Sequence, residues 1–150
     1  MVMRFAERLS LVRILSWTAL FATLIVTPWY SYDPINVPKF AVIAAGAFLA
    51  LGVLVSNFKG EWLTLFRSEI VVIGLFILDL TFVLIFAGNN FYQEFFGTFG
   101  RATGYVAYIS LALLFLSSLI VSGVDLVKRV SIMVLVGGLL SIIYGVFQSF

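Results

Sequence analysis

The stretch FYQEFFGTFGRATGY, residues 91–105, carries one arginine, Arg101, framed by Gly97, Gly100 and Gly104. A guanidinium presents five N–H donors in a rigid fork that matches the oxygens of a phosphate or pyrophosphate. Glycines let the backbone turn tightly and aim N–H groups at an anion. A helix starting near Ala102 would add its positive dipole end. Together these residues describe a site for a lipid-linked phosphate. A plainer reading also fits: Arg101 pairs with Glu94, or with a lipid headgroup, as an anchor at a helix end. Lys39 offers a second cation, either reaching the same phosphate as Arg101 or snorkelling from a helix end.

Other chemistry is excluded by what is missing. The 150 residues contain no cysteine and no histidine. Disulfides, thiol nucleophiles, Cys/His metal sites and a histidine base are therefore absent from this sequence.

The elements that must position these residues follow from composition. The chain is 63% hydrophobic and 11% charged, with a mean hydropathy of +1.17. A soluble domain is about 45–50% apolar and about 25% charged, so a bilayer is the fitting solvent. The pI near 9.1 does not point to nucleic acid, because the net charge is only +2 and no basic patch forms.

Charged residues divide the sequence into five apolar runs. A spanning helix needs roughly 20 apolar residues, and each run must be helical to satisfy its own backbone in lipid. The predicted class is an all-α polytopic bundle with spans at 14–31, 39–57, 70–88, 103–123 and 130–149. No small-residue cleavage site follows the first run, so it reads as a retained helix. Residues 2–13 place Phe5, Leu9 and Val12 on one face and Arg4 and Arg8 toward another, which predicts a short amphipathic helix on the membrane surface. The uncharged end, IIYGVFQSF, predicts that the chain is the N-terminal part of something larger.

With a cytoplasmic N-terminus, seven of the nine Lys and Arg residues fall inside: Arg4, Arg8, Arg13, Lys59, Arg67, Lys128 and Arg129. Only Lys39 and Arg101 fall outside, so the positive-inside bias sets this orientation. Trp29, Tyr30 and Tyr32 in the outer turn, and Trp62 in the inner one, suit interfacial belts. Small residues at Ala41, Ala45, Gly46 and Ala50, and at Gly137, Ser141 and Gly145, predict close helix packing.

Asp79 lies in mid-span, in GLFILDLTFVL. A charge at that depth costs about 2.5–3.5 kcal/mol on insertion scales, so it should face protein or water. It reads either as a proton- or substrate-handling group or as a hydrogen bond to a neighbouring helix.

The segment FFGTFGRATGYVAYISLALLFL resembles the motif that opens the fourth helix in the O-antigen ligase and O-antigen polymerase superfamily. Gly97, Gly100, Arg101 and Gly104 occupy the motif positions, while Ala102 and Thr103 stand where bulkier or Asn-like residues are common. TPWYSYDPINVPKFAVI resembles the family's first outer loop, and SIIYGVFQSF its fifth helix. The resemblance implies a GT-C-type membrane glycosyltransferase of the bacterial cytoplasmic membrane. Such enzymes transfer or polymerise glycan from an undecaprenyl-diphosphate carrier at the outer face. It also implies no nucleotide sugar, no metal and no other cofactor, and a large outer loop with further arginines later in the chain. A transporter or flippase portion, for which Asp79 speaks, and a non-catalytic membrane scaffold are the competing classes.

Overall fold

Pro28 limits the first helix before any tertiary contact does. Its ring nitrogen cannot donate to the Leu24 carbonyl, and its ring disfavours helical backbone just before it. The computed structural model describes residues 5–25, 36–57, 67–86, 88, 90–98, 103–121 and 123–148. Its first helix, α1 (Phe5–Leu24), stops four residues short of that proline.

This helix corrects the first expectation. Among the described residues a surface helix over 2–13 does not break from the span predicted over 14–31, because one continuous helix, Phe5–Leu24, carries parts of both. Leu11, Val12 and Leu15 are buried, so the basic half is packed into the bundle, with Arg8 and Arg13 left exposed.

The next helix, α2 (Asn36–Ser56), begins three residues ahead of the predicted start. Pro38 falls in its first turn, where a missing N–H has no intrahelical acceptor to lose. The third, α3 (Arg67–Phe86), ends before Gly88, whose φ of +72° is a left-handed stop. A short helix that the sequence did not announce, α4 (Phe91–Phe96), follows. Then come α5 (Tyr105–Val121) and α6 (Val124–Gln148). The last begins six residues before the predicted 130, taking in Asp125, Lys128 and Arg129. Charges do not stop a helix that emerges from lipid, and an acid in the first turn favours its start.

Helix makes up 92% of the described residues, with no strand among them. Among the described residues three helices are long and apolar enough to cross a bilayer: α2, α3 and the 125–147 part of α6. The apolar α5 has 17 residues, and α1 carries Glu7, Arg8 and Arg13 within its length.

The helices pack as a row in the order α6, α1, α2, α5, α3, with α4 resting on α5 and α3. Their directions follow from which residues meet. Thr18 lies against Gly46 while Leu11 and Leu15 cluster with Ala50 and Leu54, so α1 and α2 are antiparallel. Phe76 meets Tyr108 and Thr81 meets Tyr105, so α3 and α5 are antiparallel too. The main apolar core lies toward one end, where α1, α2, α5 and α6 contribute Leu11, Val12, Leu15, Ala50, Leu54, Val121 and Leu126. Buried hydroxyls are satisfied within their own helices. Ser16 donates to the Val12 carbonyl at 2.6 Å, Ser110 to Val106 at 2.7 Å and Ser117 to Leu113 at 2.7 Å.

The predicted small-residue seams hold in part. Gly46 and Ala50 are buried against α1, and Ala47 is buried too, whereas Ala41 and Ala45 are exposed. Gly137 meets the Thr23 side chain, and the Ser141 hydroxyl donates to the Thr23 carbonyl at 3.1 Å. Gly145 faces open space. A Cβ at Gly46 would overlap the Thr18 side chain. Gly46→Ala should therefore cost about 1–3 kcal/mol of overpacking. Thr18→Ala in the same chain should recover most of it. Unfolding in mixed micelles measures both, and additive losses would exclude the contact.

Candidate functional site

The short helix that carries the glycine-framed turn is locally encoded. The Asn90 side chain caps α4 by accepting from the Tyr92 N–H at 3.1 Å, a strong N-terminal preference. Ring pairs at i,i+4 stiffen it, Phe91 with Phe95 at 5.5 Å and Tyr92 with Phe96 at 4.9 Å. Gly97 ends it at φ +96°, and its N–H donates to the Gln93 carbonyl at 2.8 Å. This corrects one expectation: the Gly97 N–H is spent on closing the helix rather than offered to an anion. Gly97 contributes the turn and not a donor.

Gly104 has a different role. It is buried, and a Cβ there would overlap the backbone of Phe95, Phe96 and Gly97. The missing side chain lets the end of α4 lie directly on the start of α5. The Gly104 carbonyl then opens α5, accepting from Ala107 at 3.0 Å and Tyr108 at 3.3 Å. Tyr105 fastens the corner. Its ring stacks on Phe95 at 5.8 Å, and its hydroxyl lies 3.0 Å from that of Thr81 on α3.

Lys39 reaches the same end of the bundle. It is half-buried and lines a cleft of about 210 Å³ with Asn36, Phe40 and Ile43 of α2. The opposite wall is Thr103, Ala107 and Leu111. Arg101 and Gly100 lie outside the described residues; Thr103 follows Arg101 by two positions. On the other side of Leu111, an apolar cleft of about 390 Å³ runs between α3 and α5, lined by Val72, Phe76, Ala112 and Phe115 among others. The cleft therefore has a cationic rim and apolar walls, with a second apolar channel beside it. Such an arrangement can hold an anionic headgroup with a hydrocarbon tail.

Charge segregates along the row. Arg8 and Arg129 line one cavity with Asp125 at the other end of the bundle, about 220 Å³ in volume. Arg67 begins α3 at that end as well, since α3 runs antiparallel to α5.

Asp79 is not brought to the cleft. Ile73, Ile77, Thr81 and Leu84 are half-buried on the α5 side of α3. At 100° per residue Asp79 stands about 160° round the helix from both Ile77 and Thr81. It is exposed, and no hydrogen-bond partner reaches it among the described residues. The expected bond to a neighbouring helix is therefore not made within this row.

Sequence reasoning overlooked Tyr105 and Thr81, and noted Thr103 only as a departure from the resembled motif. The signal was present, because a hydroxyl on a lipid-embedded helix needs an acceptor, and Thr81 and Tyr105 are polar groups in two of the predicted spans. No protein-family model, curated protein or solved structure matches the chain.

Proposed function

We propose that the chain is the N-terminal membrane portion of an O-antigen ligase-like, GT-C-type glycosyltransferase. It crosses the bacterial cytoplasmic membrane five times and engages an undecaprenyl-diphosphate-linked glycan at the outer face. The observation that carries this reading is the cleft in which Lys39 stands opposite Thr103, two residues beyond Arg101. A diphosphate there would meet a point charge from Lys39, and a guanidinium such as that of Arg101 offers the fork that its oxygens match. The apolar cleft between α3 and α5 suits the first isoprene units of the carrier. In this role the chain binds and orients the donor.

The test is glycan transfer from a purified undecaprenyl-diphosphate donor by the full-length protein in liposomes. Lys39→Ala should slow transfer by roughly three- to tenfold, the loss of about one charged contact at a partly solvated rim. A wild-type protein that moves no glycan to any acceptor sinks the reading.

The orientation has its own test. Gln93 lies in α4, at the same end of the bundle as Lys39. Cysteines placed at Ser31 and Gln93 should react with an impermeant maleimide in intact cells, and one at Gly60 should not. Reaction at Gly60 would reverse the orientation.

A further inference from the structure

The face of α3 that carries Asp79 is the least explained surface of the molecule. None of the 20 residues of α3 is buried. One flank packs on α5, and the far flank is a stripe at helical spacing: Leu75, Asp79, Phe82 and Phe86. Its apolar members are 60–66% exposed, which lipid alone would satisfy. Asp79 is different, because acyl chains offer a carboxylate no donor and the helix is long and apolar enough to lie across the bilayer. Ionisable side chains at such depth almost always face protein or a water-filled cavity. Among the described residues Asp79 faces neither.

We infer that the Asp79 face of α3 is a docking surface for a further transmembrane helix that presents a cationic side chain, arginine or lysine, at the depth of Asp79. Charge complementarity selects this occupant. A second copy meeting the same face across a twofold axis would place Asp79 on Asp79, and like charges in that setting repel. The donors that α3 itself carries nearby do not serve: the Thr81 hydroxyl donates to Ile77 at 2.7 Å and meets Tyr105 on the opposite flank. Apolar side chains of the stripe would then pack around the pair and exclude water, which strengthens it. The inference concerns assembly and holds whether or not the cleft takes a lipid diphosphate.

The experiment uses the full-length protein in membranes of the cells that make it. A lipid-phase carbene reagent is applied, and modified side chains are mapped by mass spectrometry. Leu75 and Phe82 should be protected in the wild type. In both Asp79→Leu and Asp79→Asn they should become labelled, because each variant leaves the cation unpaired. Carbene labelling of Leu75 and Phe82 in the wild type would show lipid on this face and overturn the inference. So would reaction of Leu75→Cys with an impermeant methanethiosulfonate, which would reveal a water-filled cavity. Disulfide-linked dimers of Leu75→Cys would identify a second copy instead. Protection that survives Asp79→Asn would assign a neutral hydrogen-bond partner and exclude the cation.

Discussion

On the proposed function, Arg101→Ala in the full-length protein is expected to lower glycan transfer from an undecaprenyl-diphosphate donor by roughly ten- to a hundredfold, since a charge-assisted hydrogen bond contributes about 1.5–3 kcal/mol. In the proposed orientation the positive-inside bias disfavours an arginine in this position, so that bias does not account for it. Lys39 lines one cleft with Thr103, which follows Arg101 by two positions. Arg101→Lys keeps the charge but loses the planar fork, so it should be impaired as well. Glu94→Gln should matter less, because binding a phosphate requires no nearby acid. Wild-type transfer rates in Arg101→Ala, at normal expression, would reduce the residue to a membrane anchor.

Gly104→Val should be the most damaging single substitution for folding among the described glycines. The atoms that a Cβ would meet belong to the backbone of Phe95, Phe96 and Gly97, which cannot rotate aside as a side chain can. Overpacking of this kind costs about 3 kcal/mol or more when backbone must move. The displacement would also part Tyr105 from Phe95 and from the Thr81 hydroxyl, which lie 5.8 Å and 3.0 Å away. Gly52 and Gly74 provide the contrast, since nothing lies within 4 Å of a Cβ at either. Alanine there should be neutral or stabilising by about 0.5–1 kcal/mol. Equilibrium unfolding in mixed micelles, followed by tryptophan fluorescence and circular dichroism, ranks the three. Equal stabilities for Gly104→Val and Gly52→Ala would refute the close approach of α4 to α5.

The same contrast shows where one-dimensional reasoning ends. Small residues at steps of four suggested seams on two helices, yet Gly137 is packed against Thr23 while Gly145 faces open space. Spacing alone cannot tell them apart, because which turn of α6 meets α1 depends on how the two helices lie along each other. Likewise α4 is encoded by Asn90, four aromatic rings and Gly97, but six residues flanked by glycines and aromatics read as a loop when only apolar length is counted.

The sequence by itself determined the solvent and the class. Long apolar runs with few charges leave helices as the way to satisfy the backbone in lipid, and the described residues are helical. It also determined that Arg101, Lys39 and Asp79 needed explaining, because each is a charge in a place that apolar surroundings penalise. Tertiary structure alone decided what the described ones face. Lys39 lines one cleft with Thr103, 64 positions further along the chain, because α2 and α5 pack side by side with their N-terminal ends together. Asp79 turns away because the face of α3 bearing Ile77 and Thr81 is the one that fits α5. Hydropathy carries the cost of a buried charge but not the direction in which a helix presents it, and that direction is set by side-chain packing between helices distant in sequence.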